Sequence, residues 1–206
     1  MIPAREALQR LQDGNRRFVS CMKGADVSLG QTNRAALTKI QDPVAIILGC
    51  SDARVPAEIV FDQGLGDLFV IRVAGNIVAP SQVGSVEFAA AAFGTRLVVV
   101  MGHSECGAVT ATLEELRRPA STQSPNLRSI VDRVRPSVEG LLHTDLAKDE
   151  AALVEHAVRA NVRVSTGHLR HASAILERLI ATDGLMVVGA EYRLDTGEVD
   201  FFDGVP

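Results

Sequence analysis

The stretch "ILGCSDAR" at residues 47–54 sets Cys50 directly after an apolar run, with Asp52 and Arg54 within four residues of it. A cysteine that only fills a core needs no ionic neighbours. A second stretch, "MGHSEC" at 101–106, also ends an apolar run and holds His103 and Cys106 three residues apart. Two thiolates and one imidazole are donors that zinc prefers in tetrahedral geometry. No further cysteine or histidine lies near either stretch in the sequence. A structural zinc site closes with four protein ligands, whereas a catalytic one keeps a position for water. Cys50, His103 and Cys106 therefore read as an open, three-ligand site. "CGAVTATLEELRR" reads as a helix start, which sets Cys106 near the positive end of a helix and favours its thiolate.

Asp52 and Arg54 suit the water of such a site. A carboxylate aimed at that water orients it, and a two-pronged guanidinium keeps the carboxylate ionised. Plainer readings stand beside these. A single buried cysteine after a strand is ordinary packing, and Asp52–Arg54 can be a loop ion pair. Three cysteines make no disulfide framework; in a reducing compartment they stay as thiols, bind metal or react. Cys21, in a loop-like stretch without a partner, reads as incidental.

Positioning the donors requires strands. "VAIILG" (44–49), "LFVIRV" (68–73), "LVVVMG" (97–102) and "LMVVGAEY" (185–192) are short, β-branched apolar runs, as in strands buried on both faces. "DTG" (195–197) predicts a turn into a terminal strand "EVDFF" (198–202). Helices are expected between them. Ala4, Ala7, Leu8 and Leu11 mark an amphipathic N-terminal helix. Residues 28–41, 55–61 (with Pro56 in its first turn) and 84–93 also read as helical. So does the region from about 148 to 182, where Leu169, Ala172, Leu176, Leu179 and Ile180 share one face. Pro119, Pro125 and Pro136 punctuate a stretch that is helical in pieces. Strands alternating with helices predict a mostly parallel α/β sheet. Ligands in such sheets lie beyond the carboxyl ends of the strands, where Cys50 and His103 sit.

Length and composition bound the rest. The chain has 206 residues, 47% of them hydrophobic and 22% charged, enough for one domain with a sizeable core. A formal net charge of −4 gives no reason to expect nucleic acid or an anionic membrane as partner. No apolar run approaches the roughly 20 residues that span a bilayer, and the N-terminus shows no secretory h-region. A cytoplasmic protein is the expectation.

With these residues in view, the chain resembles the β-class carbonic anhydrases. The resemblance is carried by "CSDARV", "FDQGLGDLFVIRVAGN", "GSVEFA" and "GHSECGAV", in the family's order and approximate spacing. It extends from the N-terminal helix to "VVGAEYRLDTGEVDFF". It implies zinc on Cys50, His103 and Cys106, and a catalytic dyad of Asp52 and Arg54. It implies one domain over 1–206, with a four-stranded parallel core, an added C-terminal edge strand and a helical arm at 1–42. That arm would embrace a partner in a homodimer, with dimers pairing into tetramers and the active site near the interface.

Substrate contacts implied by the resemblance are Gln41, Phe69 and Phe88, with the Gly107 N–H as an oxyanion donor. Phe88 stands where tyrosine is common, and Ala53 where serine is. The absence of tryptophan sets this chain apart from members that regulate themselves through a bicarbonate site built on one. Asp52 is expected to stay on Arg54 rather than close the zinc site. His143, His156, His168 and His171 read as surface or packing residues, with no proton shuttle among them. The implied reaction is hydration of carbon dioxide to bicarbonate and a proton, by attack of zinc-bound hydroxide oriented by Asp52. Two alternatives stand: a related zinc hydrolase acting on carbonyl sulfide or carbon disulfide, and a non-catalytic zinc or thiol protein such as a redox sensor.

Overall fold

In the computed structural model, residues 2–22, 41–119, 124–171 and 173–206 are described. The four apolar runs form strands β1 (Ala45–Gly49), β2 (Leu68–Arg72), β3 (Leu97–His103) and β4 (Met186–Tyr192), followed by β5 (Val199–Asp203). The sheet order is β2-β1-β3-β4-β5. The first four strands are parallel, and β5 returns antiparallel beside β4. This is the expected four-stranded parallel core with an added edge strand.

β1 and β3 are buried along their whole length, which is why they carry apolar side chains on both faces. Ile46, Leu48, Val98 and Val100 face one helical layer; Ala45, Ile47, Leu97 and Val99 face the other. The second layer is built by α1 (Ala4–Met22) and the single turn α2 (Ala57–Val60). The first is built by α3 (Pro80–Ala92), α6 (Glu150–His171) and α7 (Ala174–Thr182). Helices α4 (Gly107–Arg117) and α5 (Pro125–Val138) join α6 in a third apolar cluster, which also contains Cys50 and Cys106.

Local chemistry explains the boundaries. The helical region expected over 148–182 is two helices, because the Ser173 hydroxyl caps a new start. It accepts from the N–H groups of Ile175 (3.1 Å) and Leu176 (3.3 Å). Pro56 precedes α2 rather than lying in its first turn. α3 begins earlier than 84, at Pro80, where a missing N–H costs nothing. The helix expected at 28–41 lies outside the described residues, apart from Gln41.

α1 buries Ala4, Ala7, Leu8 and Leu11 against its own chain, packed with Val60 and Phe61. Asn15 secures it by donating to the carbonyls of Val60 (3.1 Å) and Gly197 (2.9 Å) and accepting from the Val199 N–H (2.9 Å). A side chain at Gly14 would collide with the Phe61 carbonyl. The amphipathic face read from the sequence is thus closed internally. Among the described residues no helix is long and apolar enough to cross a membrane.

Candidate metal centre and active site

Cys50 follows β1 and His103 ends β3, its neighbour in the sheet. Cys106 is the N-cap of α4. The turn between His103 and Cys106 passes through Glu105 at φ +55°, in the left-handed region. Ser104 anchors that turn to the next strand. Its N–H donates to the Tyr192 carbonyl (3.0 Å), and its hydroxyl accepts from the Leu194 N–H (3.0 Å). The outcome is that the ligand atoms of Cys50, His103 and Cys106 all lie within 4.8 Å of one another, on buried residues.

The electrostatics fit a cation. His103 is fully buried, and its Nδ1 lies 2.9 Å from the Ser104 carbonyl. A proton on Nδ1 for that bond leaves the Nε2 lone pair facing the sulfurs. Nε2 has no hydrogen-bond partner among the described residues, and a buried polar atom without a partner is costly. The Cys106 thiol holds the Cys50 thiol down against the opposing effect of burial, helped by His103 and the Gly75 N–H. The same bond to Cys50, then burial, pushes the Cys106 thiol up. Burial pulls the His103 imidazole down, but the Cys50 sulfur, the Ser104 carbonyl and Asp52 together outweigh it and the net shift is upward. Without a cation the three donors compete for protons; a bound dication relieves that competition by holding the deprotonated forms.

Asp52 stands at the rim. Its Oδ1 accepts from the backbone N–H and Nε of Arg54, both at 2.9 Å, and its Oδ2 from Nη2 at 2.7 Å. This bidentate clamp holds the carboxyl well below the usual carboxylate range. Asp52 Oδ2 is 3.9 Å from His103 Nε2, so the carboxylate borders the cluster while its oxygens remain on Arg54.

Sequence reasoning missed the residues that hold this loop. Arg72, at the end of β2, donates from Nε to the Cys50 carbonyl (3.0 Å) and from Nη2 to the Asp52 carbonyl (2.5 Å). A charge closing the apolar run "LFVIR" was the available signal. Gly75 donates its N–H to Cys50 Sγ at 3.4 Å. Asn161 and Ser165 interrupt the apolar buried stripe of α6, and that interruption was legible too.

The residues expected to bind substrate are distributed differently. Gly107 opens α4 beside Cys106 and is exposed, with open space before it. Phe69 pairs in register with Ile46, four residues and about 13 Å along the strand from Cys50. Phe88 is 55% exposed. The two rings lie 6.3 Å apart and both pack on Phe93. Gln41 is exposed and precedes β1, at the opposite end of the sheet from Cys50. Within one chain, Gln41, Phe69 and Phe88 are not brought to the Cys–His–Cys cluster.

Among the described residues the cluster offers three protein donors rather than four, the count of a catalytic metal site, and the class this fold and cluster point to is the metalloenzymes. Similarity to known proteins specifies which. The carbonic anhydrase family model matches residues 45–199. A carbonic anhydrase of Mycolicibacterium smegmatis is 38% identical, covering 94% of this chain and 91% of the relative. Carbonic anhydrase 2 of Mycobacterium tuberculosis is 37% identical, covering 97% and 93%. A structure of tetrameric β-carbonic anhydrases from Sordaria macrospora superposes with a TM-score of 0.74 at 25% identity, covering 82% of this chain and 85% of that one. The chain belongs to the β-carbonic anhydrase family.

Proposed function

We propose that the protein catalyses reversible hydration of carbon dioxide to bicarbonate and a proton, with zinc held by Cys50, His103 and Cys106. The observation that carries this reading is the convergence of those three buried donors beside a carboxylate clamped by arginine. When bound, zinc supplies a nucleophile near neutral pH by lowering the pKa of water.

The chain's own groups do the rest. Ionised Asp52 is acceptor-only, so at Oδ2 it would accept a hydrogen bond from the nucleophile, which keeps its O–H bond and is left with a lone pair facing carbon. Arg54 keeps Asp52 ionised and fixes the plane of its carboxyl. The Gly107 N–H, a first-turn donor of α4 without a helical partner, receives charge developing on the substrate oxygen. Carbon dioxide is uncharged and bound chiefly by apolar walls, the role of Phe69 and Phe88, with Gln41 at the polar edge. Their separation from their own cluster fits this reading if they contribute to a second subunit's pocket. A homodimer, or a tetramer of paired dimers, therefore belongs to the reading. So does a cytoplasmic setting, where the thiols stay reduced.

Zinc content and stopped-flow hydration, measured together on the wild type and Cys106→Ser, test the proposal. The expected result is joint loss of metal and activity in the variant. A zinc-free wild type that hydrates carbon dioxide would falsify the reading. Faster turnover of carbonyl sulfide or carbon disulfide than of carbon dioxide would reassign the substrate.

A further inference from the structure

Cys50 Sγ accepts a backbone N–H, from Gly75. Gly75 lies in the 3-10 turn Ala74–Asn76 that follows β2, at φ +69°. A Cβ there would come within 3.1 Å of the Ala108 side chain, so the left-handed conformation favours glycine and the close approach to Ala108 adds to it. A turn of this kind has little rigidity of its own. Its aim at the sulfur depends on what holds its carbonyls.

Those carbonyls are held by α6. Asn161 Nδ2 donates to the Gly75 carbonyl at 2.8 Å. One helical turn later, Ser165 Oγ donates to the Asn76 carbonyl at 3.2 Å. Asn161 Oδ1 lies 3.4 Å from Ser137 Oγ, whose single hydrogen is held by the Val134 carbonyl at 2.6 Å. Asn161 and Ser165 are 1% and 4% exposed, so water does not substitute for them. Asn161 reaches the peptide group adjoining the one that contacts a candidate metal ligand.

We infer that Asn161 is a positioning residue of the metal centre, acting through Gly75 to align an N–H on Cys50 Sγ and so to set how firmly that sulfur holds its metal. The inference rests on the proposed metal site and adds to it a determinant on a different element. Hydrogen bonds to a charged acceptor are among the stronger ones, and a dry surrounding strengthens them. Donation into the sulfur draws charge from it and lowers the energy of its lone pairs. Loss of alignment raises those lone pairs and frees the sulfur to turn, so the ligand loses the orientation that holds it on the metal.

The test uses full-length protein loaded with zinc or cobalt(II). Asn161→Leu keeps the side chain's bulk and removes the donor. Its zinc affinity, read by competition with a chromophoric chelator, is expected to fall about 10- to 100-fold, the range for residues that orient a metal ligand. Its thiolate-to-cobalt charge-transfer band is expected to move to lower energy, which a loss of fold stability alone does not cause. Ser165→Ala, which leaves the Gly75 carbonyl bonded, is expected to move the band less. Wild-type affinity and an unmoved band in Asn161→Leu overturn the inference while leaving the metal site intact. A wild type without any thiolate–cobalt band overturns both. Should Asn161→Leu not fold, Asn161→Ser, too short to reach the Gly75 carbonyl, decides by the same two readouts: a shifted band with weakened zinc binding supports the inference, and wild-type values for both overturn it.

Discussion

At the scale of single residues, the site is governed by what each charge has beside it. Asp52 is partly solvated, yet Arg54 supplies three hydrogen bonds to its carboxyl. Its proposed task is to orient rather than to bind metal. Asp52→Asn should therefore keep its zinc while hydration kcat falls about 100-fold or more; metal analysis beside stopped-flow rates checks this. Loss of zinc from that variant would assign Asp52 to the metal instead. Glu191 presents the opposite case. It is 3% exposed in its side chain and bonded to Arg159 at 3.0 Å, and its Oε1 has no partner among the described residues. Burial raises its pKa despite the opposing pull of Arg159. A carboxyl raised in the folded state carries no penalty below its unfolded pKa of about 4.3 and a growing one as pH rises above it. Glu191→Gln should match the wild type in urea unfolding near pH 4 and equal or exceed it at pH 7. A variant markedly less stable at pH 7 would mean the ion pair outweighs its burial.

At the scale of elements, the approach of α6 to the sheet decides the site. A Cβ on Gly102 would come within 2.6 Å of Val162 Cγ2, and one on Gly189 within 2.8 Å of Val162 Cγ1. Val162 thus sits between two glycines of adjacent strands, and rotating away from one carries it into the other. This contact brings α6, with Asn161 and Ser165, against the turn at Gly75. Gly102→Ala should cost about 1–3 kcal/mol through overpacking. Adding Val162→Ala should recover part of that loss, giving a measurable coupling in a double-mutant cycle by denaturant unfolding. Strictly additive costs would show that the helix accommodates the methyl by shifting.

At the scale of the whole molecule, Phe69 and Phe88, the proposed apolar wall, lie away from the Cys–His–Cys cluster of their own chain. Phe88 is exposed on the helix that follows edge strand β2, and an unpaired edge is a natural seam for a second copy. Sedimentation should give at least a dimer for the wild type. Phe88→Arg should shift it toward monomer and depress hydration several-fold without loss of zinc. A variant that stays fully dimeric and active would remove Phe88 from both the interface and the pocket.

Much of this was determined by the sequence alone. The β-branched runs read as strands, and alternation with helices left few topologies besides a parallel sheet; burial on both faces holds for β1 and β3 but not for edge strand β2, which is part-buried with Arg72 exposed. The donors sat at the ends of those runs, so their convergence followed from strand order. Distances along the chain carry no such information for Arg72, Gly75, Asn161 and Ser165. They reach the Cys50–Asp52 loop, or the turn beside it, only because β2 borders β1 and α6 crosses the sheet at two glycines. Likewise, the separation of Phe69 and Phe88 from the cluster of their own chain was decided by strand register and helix packing. These are long-range contacts, set by which surfaces bury each other, and no local pattern of residues encodes them.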